Sequence, residues 1–488
     1  MDLKSKLSEI VGPDYVDDSP ESLSTYSKDH SLFSVSGLPD IIVRPDMAEQ
    51  VQKIVHLANE TKVPVIPVSS SVHFNGSTLP KMGGIIMDMR RMNRILNVDL
   101  PNRLARIEAG VTWGQIQGEL EKINQRMIMP LFPLASSSVV SSLLGRDVPT
   151  NPRYEYAEPM TSSEVIWGNG MRFRTGSAST PGFPDKSIAK GGNPQGPGVD
   201  WYRFLQGAEG TMGIVTWAIV KFEYLPEFNN TYFMAFDDLV QTIELLYRIQ
   251  RRMIGNECFL VNRQVGALIL GEKESDYNRL KHELPPWFMV LVLSGPPRLP
   301  EEKVAYEKEA LDEIVSQIPN GTRILKSLPG VVGLEKRLPA MLRKPWSESE
   351  ERVYWKHQLK GGCQDLMLIS KMEMAPKFTR LVTDVASSHG YDAADLGVYL
   401  QPIEQGRACH LEYQFYYNPA DERGKEKVKT LFVDAAQRLF REGAFFSRPY
   451  GLLSPMVFEH ARGYTNTIRK VKGVLDPSYV MCPGNLCF

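Results

Sequence analysis

The stretch Gln206–Phe222, QGAEGTMGIVTWAIVKF, places four small residues, Ala208, Gly210, Thr211 and Gly213, directly ahead of an apolar run. Glycine permits positive φ and close backbone approach. A Gly-x-x-Gly turn that opens a buried strand can hold a flat or phosphorylated ligand against bare main chain. The same residues also make an ordinary tight turn, and the stretch alone leaves both readings open. Other residue types suited to chemistry stand elsewhere. Arg448 offers a permanently ionised planar fork, with the phenol of Tyr450 two residues on. Glu155 sits between Tyr154 and Tyr156, and a carboxylate buried among aromatics has a raised pKa and can act as a base. His410 lies in the alternating run RACHLEYQFYYNP with no partner at metal-ligand spacing. Taken singly, each has a plain structural alternative: Arg448 pins a loop, Glu155 is solvated, His410 packs in a strand.

The elements that position these residues are read from periodicity. MAEQVQKIVHLANETK (Met47–Lys62) carries Val51, Ile54, Val55 and Ala58 at helical spacing, with Leu57 widening the face. Strands follow in VPVIPV, GGIIMDM and Arg103–Val111, and Thr112 caps a helix in TWGQIQGELEKIN. The Gly/Pro-rich residues 176–198 read as a long surface loop. Beyond Pro226 the texture changes. Amphipathic helices in DDLVQTIELLYRIQRRM, EEKVAYEKEALDEIVSQI, APKFTRLVTDVASSHG and EKVKTLFVDAAQRLFREG alternate with strands such as WFMVLVLSG and CHLEYQFYYNP. That pattern predicts an antiparallel sheet covered on one face. The last forty residues, ending DPSYVMCPGNLCF, are read as returning to the first domain.

Composition excludes several classes. With 57 acidic against 56 basic residues, there is no electrostatic case for nucleic acid or an anionic membrane. Five cysteines without CxxC spacing suggest reduced thiols, a cytoplasmic setting, and neither a disulfide frame nor a metal site. No run of about 18 apolar residues predicts a membrane span, and the start has no apolar core of signal-peptide length. At 488 residues the chain is expected to form more than one domain.

Taken in order, IIVRPDMAEQVQKIVHLANETKVPVIPV, GGIIMDMRRMNRI, ARIEAGVTWGQIQGEL, FLQGAEGTMGIVT and DPSYVMCPGNLCF resemble the flavoprotein superfamily of vanillyl-alcohol oxidase, p-cresol methylhydroxylase and the D-lactate and glycolate dehydrogenases. The resemblance covers nearly the whole chain. It implies an α+β, two-domain PCMH-type FAD-binding fold: residues 1–225 and 445–488 form the FAD domain, and 226–444 an inserted substrate (cap) domain on an antiparallel sheet covered by helices. By the same resemblance the cofactor is FAD. Its cradle would be the turn with Ser69, Ser70, Ser71, His73, Asn75 and Gly76, the turn with Ser136 and Ser141, the run Gly210, Thr211, Gly213 and Ile214, and Asn485. The first two turns carry serines where the family is commonly glycine-rich, and hydroxyls can donate to phosphate in place of main-chain N–H groups.

Within that superfamily the layout is more similar to the vanillyl-alcohol oxidase branch. The histidine-rich metal motif and the Gly-Glu-His-Gly signature of the 2-hydroxy-acid branch are missing, and GAFFSRPYGLLSP stands where the latter would fall. The resemblance implies that Arg448 stabilises a bound phenolate, with Tyr450 placed to add a phenol hydroxyl, and that Glu155 falls at or beside the acid near the flavin; His410, read from its strand alone, either packs there or faces substrate. Asn75 replaces an expected tyrosine, which argues against strict phenol specificity. GGCQDLMLIS stands where covalent linkage occurs in relatives, without histidine or tyrosine, so non-covalent FAD is expected. Three functions are carried forward: hydride transfer from an aromatic, 4-hydroxybenzylic or related alcohol carbon; oxidation of a 2-hydroxy acid; and a non-catalytic flavin-fold subunit of a redox complex. The expected partners are a small-molecule, aromatic substrate and, left open, an electron-transfer protein and a homo-oligomer.

Overall fold

The computed structural model describes residues 2–32, 37–70, 74–155, 158–180, 192–318, 322–349 and 352–488. Three sheets organise the chain. The first has four strands in the order Val16–Asp17, Ile41–Val43, Ile85–Asp88, Val65–Val68, the last three parallel. A parallel pair needs a crossover, and helix Ala48–Thr61 supplies it, burying Val51, Ile54, Val55, Leu57 and Ala58. The periodic apolar positions of the sequence are therefore the face that packs.

The second sheet is antiparallel. Its order is Ile95–Asp99, Leu104–Glu108, Gly213–Tyr224, Met160–Trp167, Arg172–Arg174, with Gln125–Met127 pairing the far end of Gly213–Tyr224. Gly213–Tyr224 is its central strand, buried from Gly213 to Val220. Helix Trp113–Glu121 begins where Thr112 Oγ1 accepts from the Gln115 N–H at 3.3 Å, a side-chain N-cap.

The third sheet has seven antiparallel strands, ordered Ile324–Leu325, Phe228–Phe236, Trp287–Gly295, Glu257–Asn262, Gly397–Ile403, Ala408–Tyr417, Gly362–Ser370. Successive side chains alternate between its faces. Met289, Leu291 and Leu293 meet the long helices Val240–Arg252, Pro300–Ser316, Ala375–Ser388 and Glu422–Arg441. The opposite face, with Phe288, Val290 and Val292, packs on Arg263–Leu270, Glu274–Glu283 and Leu334–Leu342, and on Leu131, Phe132 and Leu134 from the first part of the chain. One covered face was the expectation; both are covered, because strands such as WFMVLVLSG are apolar without a break from Trp287 to Leu293 and leave neither side for water.

The chain then returns. Ile369 N–H donates to Phe445 O at 2.8 Å, and Val65 N–H to Val480 O at 2.7 Å. Buried ion pairs lock the third sheet to the second: Arg126 binds Glu257, and also Glu223 at 3.0 Å, while Arg343 reaches Glu257 at 3.5 Å. No helix among the described residues is long and apolar enough to cross a membrane.

Candidate functional site

A cleft of 310 Å³ runs between the third sheet and the first two, within the range of small-molecule sites, roughly 300–1,000 Å³. Strand Ala408–Tyr417 explains its chemistry. Cys409, Leu411, Tyr413 and Phe415 point into the helix-covered core, so His410, Glu412, Gln414 and Tyr416 fall on the other face, and all four are buried. Antiparallel register sets Tyr399 and Met367 beside Glu412, and Asp365 beside Gln414. The result is a polar patch on a buried sheet face, made by period-two alternation alone.

Lys356 completes that patch from a short helical turn, Trp355–His357. Its Nζ lies 2.5 Å from Asp365 Oδ2 and 2.7 Å from Glu412 Oε1. Burial opposes the Lys356 charge, but the two carboxylates outweigh it and hold its pKa well above the usual lysine value. Burial and the neighbouring Glu412 push Asp365 up to about 6. Burial also works against Glu412, yet Lys356 and His410 hold its carboxyl well below the usual range. Glu412 is thus the member of the pair that stays ionised to the lower pH.

His410 Nε2 stands 3.3 Å from Glu412 Oε2. An ionised carboxylate only accepts, so Nε2 carries the proton and Nδ1 keeps its lone pair. Burial lowers the His410 pKa, with the Glu412 hydrogen bond opposing in part, and the ring is neutral at neutral pH. That is a base poised to take one proton and a carboxylate placed to stabilise the cation formed.

Arg448 lies on the return segment, 6% exposed, its Nη1 2.8 Å from Asp147 Oδ1. Tyr450 follows, its hydroxyl 3.4 Å from Gly145 O. Both line the cleft, as do Asp147, Tyr354 and Trp355. Phe74 stacks obliquely on Tyr354 with centroids 5.6 Å apart.

The opposite wall comes from the two serine turns and the glycine turn. Ser69 and Ser141 share a hydrogen bond within this wall, and Ser70, Asn75, Gly210, Gly213 and Ile214 line the cleft with them. The glycines have internal reasons as well. Gly210 has φ +72°, and a Cβ there would stand 2.9 Å from Pro67 Cγ and 3.0 Å from Cys482 Sγ; one on Gly213 would stand 2.6 Å from Ile166 O. Thr211, by contrast, is buried behind the wall and bonded to Ala208 O, while Asn485 braces it, donating to Ser77 O at 2.8 Å. Gly76 also stands behind the wall, its N–H held by Asp29 at 2.6 Å. Ser136 is exposed beside the second turn. Glu155 stands outside the cleft walls and faces Arg203 at 4.0 Å. Ser71, His73 and Tyr156 lie outside the described residues, as do 181–191 of the Gly/Pro-rich stretch.

Sequence reasoning singled out His410 but passed over Lys356, Asp365, Glu412 and Glu209. The alternation of His410, Glu412 and Gln414 with apolar neighbours was a usable signal. Lys356 and Asp365 gave none, since neither stands in a pattern and only the fold brings them together.

Residues 39–176 match the family model described as FAD binding domain, so the chain contains an FAD-binding domain. It is 30% identical over 246 residues to glycolate oxidase subunit GlcD of Bacillus subtilis, covering 49% of this chain and 48% of that one. It is also 30% identical over 199 residues to the 4-cresol dehydrogenase [hydroxylating] flavoprotein subunit of Pseudomonas putida, covering 40% and 38%. The matches thus span less than half the length of these relatives. A crystal structure of p-cresol methylhydroxylase with substrate bound superposes with a TM-score of 0.82 at 18% identity, over 99% of this chain and 96% of that one. The chain has that α+β fold. Its cleft suits FAD on its own evidence: the hydroxyls of the two serine turns converge on it, and Oε1 of Glu209 and Oδ1 of Asn485 are buried there or just behind without a protein hydrogen-bond partner.

Proposed function

We propose that this protein is an FAD-dependent oxidoreductase that removes a hydride from the alcohol carbon of a small, aromatic substrate. Residues 1–225 and 445–488 serve as the FAD domain and 226–444 as the cap. One observation carries the reading: the His410–Glu412–Lys356 cluster and Arg448 face the serine and glycine turns across one cleft. FAD, when bound non-covalently along those turns, supplies the hydride acceptor. Ser69, Ser70, Ser141 and the main chain at Gly210 and Gly213 hold it.

The protein's own groups manage the proton. As the carbon gives up its hydride, the substrate hydroxyl gives its proton to His410 Nδ1, leaving a carbonyl product. Glu412, already holding Nε2–H, stabilises the imidazolium that forms. Lys356 keeps Glu412 ionised and in place. Arg448 and Tyr450 orient the substrate from its phenol end. Phe74, Tyr354 and Trp355 supply aromatic walls and exclude water. A 4-hydroxybenzylic alcohol suits such walls, with Arg448 near its phenol.

Oxidation of a 2-hydroxy acid is the second reading, favoured by the match to a glycolate oxidase subunit. Against it stands the Asp147 carboxylate, which already neutralises Arg448 and would repel a second carboxylate beside it. The test is to reconstitute the protein with FAD, exclude oxygen, and follow flavin absorbance as substrates are added. Bleaching by 4-hydroxybenzyl alcohol but not by D-lactate or glycolate supports the first reading. Bleaching by hydroxy acids alone replaces it with the second. A protein that never turns yellow points instead to a non-catalytic subunit.

A further inference from the structure

Glu209 lies in the glycine turn, between Ala208 and Gly210, and lines the cleft. Its backbone has φ +49°, a left-handed conformation that is uncommon outside glycine and asparagine. Its carboxyl Oε1 is sealed from solvent and has no hydrogen-bond partner in the protein. A buried unpaired carboxyl oxygen and a strained backbone are both unfavourable, and a glycine here would relieve both. Three groups face this carboxyl: Lys81 from the loop after the first serine turn, Tyr450 from the return segment, and Cys482 from the C-terminal segment. None of them hydrogen-bonds Oε1.

We infer that Glu209 is a cofactor-binding residue, which as a neutral acid donates a hydrogen bond to an acceptor oxygen of bound FAD. This rests on the reading of the cleft as the FAD site. The oxygen-rich cofactor carries a doubly charged pyrophosphate, so an ionised carboxylate pressed against it repels, whereas the acid form binds. Burial favours that form: it raises the Glu209 pKa to about 8, with Lys81 opposing. Burial also holds the Cys482 thiol up at about 12 and the Tyr450 phenol higher still, so neither titrates between pH 7 and 9.

The test uses full-length apo-protein and measures FAD affinity by quenching of flavin fluorescence from pH 6.5 to 9.5, independent of turnover. Glu209→Gln is the neutral isostere, and Glu209→Ala removes the group while keeping a Cβ at the same φ. Wild-type affinity is expected to hold below pH 8 and then to weaken by up to about tenfold per pH unit, the limit for one linked proton. Glu209→Gln should bind with the same strength across the range, and Glu209→Ala about tenfold more weakly at pH 7. Equal pH slopes in wild type and Glu209→Gln overturn the assignment, as does wild-type affinity in Glu209→Ala. Those results leave FAD as the cofactor. Failure of all three proteins to bind FAD removes the cofactor reading itself, and this inference with it.

Discussion

Lys472 and Asp476 form an i,i+4 ion pair at the end of helix Arg462–Leu475, with side chains 1% and 0% exposed. Nζ stands 2.5 Å from Asp476 Oδ2 and 3.1 Å from Met481 O, and donates also to Thr211 O in the glycine turn. Asp476 in turn accepts from the N–H groups of Val480 at 3.1 Å and Met481 at 2.9 Å. One ammonium therefore joins the C-terminal return to the wall of the cleft. Lys472→Met keeps the aliphatic stem and removes the charge, leaving Asp476 buried beside an apolar group and two carbonyls without this donor. Breaking a buried pair from one side destabilises by about 3–5 kcal/mol, because the remaining charge has lost its partner. Urea unfolding of the apo-protein, followed by far-UV circular dichroism, reads this directly, since no cofactor then masks the loss. Lys472→Met combined with Asp476→Asn should recover about 2 kcal/mol relative to the sum of the single changes. A loss under about 1 kcal/mol in Lys472→Met, or strict additivity in the double variant, refutes this role for the ion pair.

Four further outcomes are expected. Arg448→Lys should retain FAD yet slow flavin reduction by about 10- to 100-fold, the worth of one charge-assisted hydrogen bond; unchanged kinetics remove Arg448 from the site. The rate of anaerobic flavin reduction should fall as pH drops through a midpoint below 6.5, because burial depresses the His410 pKa and only the neutral ring accepts a proton. A midpoint above 7 in stopped-flow profiles contradicts that role. Gly210→Val should lower the melting temperature of the apo-protein and its FAD retention together, since φ is +72° and the new Cβ meets Pro67 and Cys482; a fully yellow variant of wild-type stability refutes this. Asp147→Asn should tighten binding of benzoate, read from flavin difference spectra, by about tenfold, because it frees the Arg448 fork from a competing carboxylate. No change there shows the guanidinium to be out of reach of the ligand.

What was legible in the sequence follows from how local each signal is. Helix Ala48–Thr61 and its flanking strands announce themselves because the repeat of buried positions lies within one segment. The apolar strands of the third sheet are equally plain, but their two-sided burial had to be seen, since an all-apolar strand does not say what covers its second face. The cleft was half legible. The glycine turn and Arg448 were found through order and resemblance. Glu155 was placed by the same means, yet it stands outside the cleft walls and faces Arg203. Lys356 and Asp365 come together with Glu412 only after three separate segments converge, and no spacing encodes that.

The charges of the cleft narrow what it can bind. Lys356 is shared by Asp365 and Glu412, and Arg448 is engaged by Asp147, so each of these cations already has a carboxylate. An incoming anion must share one of these cations with a carboxylate already bound to it, and the two like charges repel. A neutral alcohol displaces nothing. It needs only a base for one proton and walls that hold its carbon still, and the cleft has both: His410 backed by Glu412, and the rings of Phe74, Tyr354 and Trp355. Under the proposed function, the internal pairing that keeps this polar patch stable inside the protein also favours an uncharged substrate over an acid.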